Sequence, residues 1–156
     1  MIKILFICYG NICRSPMAEF VMKEMVKRCG VENEYSIASA ATSSEEIGNA
    51  VYPPVRSLLA RHGIDCSGKT ARRLTARDCE EYDLLICMDD QNVRAVRRLC
   101  TPEQADKVHR LLDYTSRGGC VADPWYTRNF EATWCDVVRG CAALLKQLSG
   151  VDAPIL

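Results

Sequence analysis

The strongest chemical signal in the sequence is the loop from Cys8 to Pro16, which reads Cys-Tyr-Gly-Asn-Ile-Cys-Arg-Ser-Pro. It lies between a short apolar run and a segment with helical spacing of apolar residues, so we expect a tight strand-to-helix turn. Gly10 and Asn11 tolerate the positive φ angles that such a turn requires. The backbone N–H groups of the turn and the positive end of the helix then point at one place. The loop is therefore predicted to bind an anion.

Cys8 and Arg14 indicate which reaction such an anion site would support. The planar guanidinium of Arg14 can hold two oxygens of a tetrahedral oxyanion at once. The same positive field favours the thiolate form of Cys8, and a thiolate beneath a bound phosphate is positioned for in-line attack on phosphorus. Ser15 can donate a hydrogen bond to the sulfur and make it a better leaving group. We therefore predict a phosphocysteine intermediate on Cys8.

Release of an alcohol or phenol from phosphorus needs a proton donor, and hydrolysis of the intermediate needs a base. One carboxyl group can serve in both steps. Asp123 is the candidate, because Pro124 stiffens its loop and the aromatic rings of Trp125 and Tyr126 offer walls for a planar leaving group. Asp89 and Asp90 follow an apolar run and are the competing carboxylates, but their position favours helix capping.

Length and charge narrow the class of protein. The chain has 156 residues, with 20 basic and 20 acidic residues and 7% aromatic residues. One domain over residues 1–156 is expected, and neither nucleic acid nor a membrane surface is an expected partner. The N-terminal apolar run is too short for a signal peptide, and no run approaches the roughly 20 residues of a membrane span. A cytoplasmic location is predicted.

The ten cysteines do not predict a disulfide framework. Cys29, Cys87, Cys135 and Cys141 fall within apolar or amphipathic runs and are interpreted as small hydrophobic residues. No pair has the Cys-x-x-Cys spacing of a zinc site, and only His62 and His109 could add nitrogen ligands. Neither a metal nor a cofactor is expected.

Alternating apolar runs and amphipathic segments predict the fold. Residues 2–7, 35–41, 83–88 and, more weakly, 108–112 have strand character. Helices are predicted from a Ser15 cap to Gly30, over 53–62, from a Thr75 cap to Glu81, over 91–99 with Leu99 facing inward, and over 131–148. Residues 64–74 are expected to be irregular, with Lys69, Arg72 and Arg73 on a solvated surface. The result is an α/β doubly wound domain of about four parallel strands with helices on both faces. Its ligand site should lie at the carboxyl ends of the strands.

The quoted motifs resemble those of the low-molecular-weight protein tyrosine phosphatase family over most of the chain. The Cys8–Pro16 loop is similar to the family's phosphate-binding loop, and Asp123-Pro124-Trp125-Tyr126 is similar to its general-acid motif. Residues 39–43 and 86–89 also resemble family segments. The resemblance implies hydrolysis of phosphotyrosine in a protein or peptide substrate.

The resemblance also implies roles for individual residues. Cys8 would be the nucleophile, Arg14 the phosphate-binding residue and Asp123 the proton donor. Supporting roles in the phosphate-binding loop would fall to Tyr9, Gly10, Asn11, Ile12, Cys13 and Ser15, with Asn11 bracing the loop and Ser15 tuning the thiolate. Cys13 would form a reversible disulfide with Cys8 on oxidation.

The substrate cleft is expected to include Ile12, Glu45, Trp125 and Tyr126. In the family an aromatic residue followed by His or Asn often stands where this chain has Glu45-Glu46, so one wall is more acidic or more open. Tyr52-Pro53-Pro54 replaces a common Asp-Pro-Arg, and whether Tyr52 substitutes for the missing aromatic is open. The apolar, β-branched Ile12 suits a phenyl ring. By the resemblance, isoleucine at this position goes with phosphotyrosine as the substrate, whereas threonine goes with phosphoarginine.

Three other functions are compatible with parts of the sequence. An arsenate reductase of the same fold would use Cys8 and pass electrons through further cysteines, for which Cys79 and Cys87 are candidates. A phosphoarginine phosphatase would use the same loop. A non-catalytic phosphate-binding module would need neither Cys8 nor Asp123, so the presence of both favours an enzyme.

Overall fold

A four-stranded parallel sheet organises the chain, and the computed structural model describes all of residues 1–156. The strands lie in the order β2-β1-β3-β4, so β2 lies on one side of β1 and the chain then crosses to β3 on the other side. Cys8 pairs with Ala41 of β2, and Ile7 pairs with Cys87 of β3. The predicted doubly wound α/β fold is confirmed. Its strands are β1 (Ile2–Cys8), β2 (Tyr35–Ala41), β3 (Leu84–Cys87) and β4 (Val108–Arg110).

The chain also forms six α-helices. They are α1 (Arg14–Arg28), α2 (Pro53–Arg61), α3 (Ala76–Glu81), α4 (Asp90–Leu99), α5 (Pro124–Thr127) and α6 (Phe130–Ser149). Each predicted helix is present, and the predicted bounds differ by one or two residues. The short α5 follows Asp123 and was not anticipated. None of the six has the length and apolar character that crossing a bilayer demands.

The alternation of side chains along β1 creates two cores of unequal size. Ile4, Phe6 and Cys8 face the larger core, which contains the buried sides of α1, α2 and α6. Leu5 and Ile7 face the smaller core, which contains residues from α3 and α4. Because the period of a strand is two, Cys8 ends β1 on the face that carries α1. The sheet therefore directs its sulfur into the turn that leads to that helix.

The start of α1 differs from the prediction. The helix begins at Arg14, and Ser15 lies inside its first turn rather than at its cap. Cys13 is the N-cap and contributes no side-chain hydrogen bond. The reason is local: Ser15 Oγ lies 2.9 Å from Cys8 Sγ, and the Ser15 N–H also points at this sulfur, at 3.4 Å. The polar groups of Ser15 therefore interact with the sulfur of Cys8 and do not cap the helix.

Three other expectations were wrong in detail. The fourth strand stops at Arg110 because the chain tightens into a 3-10 turn over Leu111–Tyr114. Leu99 is 41% exposed and not inward-facing. Cys135 is exposed, because it lies outside the buried stripe of α6.

Of the three basic residues expected on a solvated surface, Arg73 is exposed as predicted, Arg72 is half-buried with a side chain that is 39% exposed, and Lys69 is largely buried. The Lys69 side chain is 13% exposed and lies 3.5 Å from Glu19. Arg72 donates two hydrogen bonds to the buried Asp78. The irregular segment that carries both residues is predicted correctly, but it packs against the loop after β1. Two capping predictions are confirmed, since Thr75 and Asp89 each accept a hydrogen bond from the third residue of the helix they begin.

Candidate active site

The loop after β1 closes around the sulfur of Cys8. Asn11 N–H donates to Sγ at 3.3 Å and Ser15 N–H at 3.4 Å, with Ser15 Oγ 2.9 Å away. Asn11 has a φ of 59°, the left-handed conformation that turns these groups inward. Cys8 is only 3% exposed. Hydrogen bonds of this kind stabilise negative charge, so the loop can hold a thiolate and the oxygens of a phosphate above it.

A second group of buried side chains fixes the conformation of Asn11. Its side-chain NH₂ donates to Ser15 Oγ at 2.8 Å and to Ser39 Oγ at 2.9 Å. Its side-chain oxygen accepts a hydrogen bond from Arg72 N–H at 3.2 Å. Both N–H donors and the oxygen of the Asn11 side chain are thus hydrogen-bonded. These bonds hold Asn11 in a sparsely populated backbone conformation.

This network continues to a buried ion pair. Ser39 Oγ donates to Glu19 Oε1 at 2.5 Å, and Lys69 Nζ lies 3.5 Å from the same carboxylate and 2.9 Å from the Ser39 carbonyl oxygen. Burial lowers the pKa of Lys69, although the charge of Glu19 opposes this effect. We call Asn11, Ser39, Glu19 and Lys69 the loop support. Sequence reasoning identified only Asn11, because the others are separated from it along the chain and look like ordinary surface or strand residues.

Arg14 is buried and held by acceptors on two later loops. Its Nη1 donates to Asp89 Oδ2 at 2.6 Å and to the Val121 carbonyl oxygen at 3.0 Å. Its Nη2 lies 3.4 Å from Asp123 Oδ2. Burial acts to lower the pKa of Arg14, but the negative groups at Cys8, Asp89 and Asp123 outweigh it, and the pKa is raised. The guanidinium is therefore charged and oriented. Asp89 caps α4 as predicted, and it also orients Arg14, which the sequence did not indicate.

Asp123 lies at the mouth of the same pocket. It caps α5 through Oδ1, which accepts a hydrogen bond from Trp125 N–H at 3.0 Å. Its other oxygen faces Arg14. The side chain is 25% exposed, so a carboxyl group here can exchange protons with water and with a bound leaving group.

One pocket of about 110 Å³ collects nearly all of the predicted site residues. Asn11 and Ser15 lie behind its floor, and Glu46 adds a carboxylate beside Glu45. The lining residues are Cys8, Tyr9, Gly10, Ile12, Cys13, Arg14, Glu45, Glu46, Asp123, Trp125 and Tyr126. The pocket thus combines a polar floor with apolar and acidic sides.

The aromatic side of the pocket is supported from outside. Trp125 is 46% exposed and Tyr126 80% exposed. The Tyr52 ring packs against Trp125 with its centroid 5.0 Å away, and its hydroxyl accepts a hydrogen bond from Arg128. Tyr52 does not line the pocket itself. On the other side, Tyr9 donates its hydroxyl to Glu45 at 2.7 Å.

The remaining cysteines near the site differ from Cys8 in environment. Cys13 is 5% exposed, and burial, together with the nearby charge of Cys8, raises its pKa to about 12. It is therefore a neutral thiol at physiological pH. Its pairing with Cys8 on oxidation stays a prediction.

The cysteines proposed for an arsenate-reductase relay lie on the other face of the sheet from Cys8. Cys87 faces the smaller core, on the opposite side of the sheet from Cys8. Cys79 belongs to that core too, with its sulfur 3.1 Å from the sulfur of Cys100. A relay from Cys8 to either thiol would require part of the sheet to open.

Comparisons with known proteins agree with this geometry. The family model described as low molecular weight phosphotyrosine protein phosphatase matches residues 3–151. The chain belongs to this family. The Bacillus subtilis low molecular weight protein-tyrosine-phosphatase YfkJ is 36% identical over 151 residues, covering 95% of this chain and 96% of that protein. The crystal structure of YfkJ aligns with a TM-score of 0.93 at 35% identity, over 96% of both chains.

Two further relatives mark the range of the family. The low molecular weight phosphotyrosine protein phosphatase of Homo sapiens is 36% identical, over 93% of this chain and 94% of that protein. A Drosophila protein whose structure is titled an arginine phosphatase is 26% identical, with a TM-score of 0.88 over 97% of this chain and all of that one. The fold is thus shared by proteins named for different phosphorylated residues.

Proposed function

We propose that this chain is a protein tyrosine phosphatase that hydrolyses phosphotyrosine through a phosphocysteine intermediate on Cys8. The observation that carries the proposal is the position of the Cys8 sulfur. It accepts hydrogen bonds from the backbone N–H groups of Asn11 and Ser15. Arg14 and Asp123 line the pocket into which Cys8 opens. Nucleophile, phosphate ligand and proton donor are thereby within reach of one tetrahedral group.

The first step transfers the phosphoryl group to sulfur. The Cys8 thiolate attacks phosphorus, an S–P bond forms, and the P–O bond to the tyrosine oxygen breaks. Asp123 gives its proton to that oxygen, so that a neutral phenol leaves. Arg14 and the loop N–H groups hold the non-bridging oxygens, on which the negative charge is spread.

The second step returns the enzyme to its starting state. A water molecule attacks phosphorus while the Asp123 carboxylate takes its proton, the S–P bond breaks, and inorganic phosphate forms. The thiolate that leaves is stabilised by Ser15 Oγ and by the two N–H groups. These steps use only side chains and water, so we expect turnover to persist in the presence of a chelator.

The substrate preference follows from the sides of the pocket. Ile12, Trp125 and Tyr126 supply apolar and aromatic surface beside the phosphate position, which suits a phenyl ring. The substrate we propose is a phosphotyrosine-containing protein or peptide. A reducing compartment such as the cytoplasm is consistent with a thiolate nucleophile, and all ten cysteines are free.

Phosphoarginine is the second candidate substrate. Glu45 and Glu46 line the pocket, and their carboxylates could face a guanidinium group. The Drosophila relative titled an arginine phosphatase shares the fold. Ile12 favours the aryl substrate, because its branched side chain offers a guanidinium no hydrogen-bond acceptor.

The proposal is tested by comparing Cys8→Ser with Cys13→Ser. We expect Cys8→Ser to abolish hydrolysis of phosphotyrosine while retaining binding of phosphate or vanadate, because the anion-binding N–H groups remain. Cys13→Ser removes a thiol from the same loop and should retain most of the turnover. Both variants are assayed on phosphotyrosine and on phosphoarginine, in a chelator. A Cys8→Ser enzyme with normal turnover would exclude the mechanism, and faster turnover of phosphoarginine by the unmodified enzyme would exclude the substrate.

A further inference from the structure

A groove rich in arginine lies next to the active-site pocket. It consists of two adjoining cavities that share Arg98 of α4. Arg73, from the loop before α3, lines one of them, and Arg94, one helical turn before Arg98, lines the other. The second cavity reaches Tyr9, which also lines the active-site pocket. We call this surface the arginine groove. It adjoins the active-site pocket at Tyr9.

The three guanidinium groups of the arginine groove have no carboxylate partners. Arg73 donates to Ser44 Oγ at 2.6 Å, and none of the three lies within 4.0 Å of a carboxylate. The arginines elsewhere that are held in place, such as Arg14, Arg72 and Arg110, are paired with aspartates. Since the chain as a whole has no net charge, the groove is a local concentration of uncompensated positive charge. Such a surface attracts anions.

Tyr9 separates the two surfaces and is itself anchored. Its hydroxyl donates to Glu45 at 2.7 Å, and its backbone carbonyl accepts hydrogen bonds from Ser43 N–H and Oγ. Tyr9 therefore borders two surfaces: the active-site pocket, which Glu45 and Glu46 also line, and the groove, which Arg94 and Arg98 line. A polypeptide whose phosphotyrosine enters the pocket would pass one flank across the arginine groove.

We propose that the arginine groove binds acidic side chains of the substrate polypeptide beside the phosphotyrosine. This inference rests on the proposed function, because it assigns a substrate class to the same site. Arginine holds a carboxylate or a phosphate through two parallel hydrogen bonds, so glutamate, aspartate or a second phosphorylated residue would fit. The groove selects for acidic sequence on one flank only, because Glu45 and Glu46 repel it on the other.

The test uses matched phosphotyrosine peptides. One carries three glutamates before the phosphotyrosine, one carries them after it, and two controls carry glutamines in the same positions. We expect one of the glutamate peptides to have a KM about five- to tenfold below its glutamine control, as exposed charge contacts give. A third pair, with a second phosphotyrosine against tyrosine, separates phosphate from carboxylate binding.

Variants identify the groove as the source of the preference. Arg94→Gln with Arg98→Gln should remove the advantage of the acidic peptide and leave kcat unchanged. Arg97→Gln is the matched control, because Arg97 is exposed on the same helix but does not line the groove. All three enzymes should hydrolyse p-nitrophenyl phosphate equally, which shows that they are folded.

Two outcomes would overturn the inference while leaving the proposed function intact. One is equal KM values for the glutamate and glutamine peptides in both orientations. The other is an equal loss of preference in Arg97→Gln and in the double variant, which would indicate a general charge effect. Failure of the unmodified enzyme to hydrolyse p-nitrophenyl phosphate would instead overturn the proposed function, and this inference with it.

Discussion

The floor and the rim of the active-site pocket are built in different ways. On the floor, Cys8, Asn11 and Arg14 are each no more than 3% exposed and are bound by named partners. No buried side-chain nitrogen or oxygen lacks a hydrogen bond. On the rim, Trp125 and Tyr126 are largely exposed. A rim residue can therefore change with less consequence for folding than a floor residue. In the proposed mechanism the floor carries the reacting groups and the rim selects the substrate.

Asp123 tests where the boundary between the two regions lies, because it is partly exposed yet proposed to act in the reaction. Asp123→Asn should lower kcat/KM, which reports the step that releases the leaving group, about 10²- to 10⁴-fold for phenyl phosphate, whose leaving group needs a proton, since general acid catalysis contributes about that much. The loss should be far smaller for p-nitrophenyl phosphate, whose leaving group is stable as an anion. Steady-state kinetics on both substrates gives the comparison.

An equal loss on both phosphates would remove Asp123 from the role of proton donor. The helix α5 that it caps would then be its main contribution. Thermal unfolding of the variant provides the control, because asparagine is also a good N-cap and should preserve the melting temperature.

Glu19 tests the floor, although it does not contact the pocket. Glu19→Gln leaves Lys69, whose side chain is 13% exposed, without its counter-ion. We expect a loss of about 2 kcal/mol in the free energy of unfolding, below the value for a fully buried pair because some solvent remains. Glu24→Gln on the same helix removes an exposed pair with Arg28 and should cost less than about 0.5 kcal/mol. Urea unfolding measures both.

The stability that Glu19→Gln loses should depend on pH in a defined direction. Burial already lowers the pKa of Lys69 in the folded protein, and loss of Glu19 lowers it further. Between the folded value and the unfolded value of 10.5, the unfolded state of Glu19→Gln binds more protons, so the variant gains stability as the pH rises. Its deficit relative to the unmodified protein should shrink between pH 7 and pH 10. A constant deficit would show that the lost interaction is not electrostatic.

Trp125 tests the rim and has the smallest expected effect. Trp125→Ala should raise the KM for aryl phosphates about fivefold, as loss of one aromatic contact would, with kcat nearly unchanged. Tyr126→Ala is the matched control, because this ring is more exposed and should matter less. A larger rise in KM for Tyr126→Ala would show that Tyr126, and not Trp125, is the main aromatic contact of the substrate. A lower kcat for Trp125→Ala would show that Trp125 contributes to the reaction itself.

The sequence predicted those parts of the molecule in which short-range spacing determines the structure. Local sequence determines three of these parts: the Cys8–Pro16 loop, the helix caps at Thr75 and Asp89, and the order of strands and helices along the chain. Serine before proline usually caps a helix, so the sequence predicts a cap at Ser15. In the structure the Ser15 hydroxyl instead forms a hydrogen bond with the sulfur of Cys8, seven positions earlier. Its role depends on how the loop folds over Cys8.

The loop support could not be derived from spacing. Glu19 and Lys69 look like solvated charges in the sequence, and only the packing of the segment before α3 against β2 buries them together. Asp89 was recognised as a cap, but its contact with Arg14 joins residues 75 positions apart. Long-range ion pairs of this kind follow from the topology of the sheet, which brings the ends of β1 and β3 to one edge.

The most direct test of the account is to identify the atom that carries the phosphoryl group during turnover. The unmodified enzyme and Asp123→Ala are mixed with p-nitrophenyl phosphate and quenched within milliseconds in alkaline denaturant, where a thiophosphate bond survives. Phosphorus NMR and mass spectrometry of the peptide that contains Cys8 then locate the group. The account predicts phosphorylated Cys8 in both proteins. A phosphoryl group on another residue, or active turnover with none bound to the protein, would contradict it.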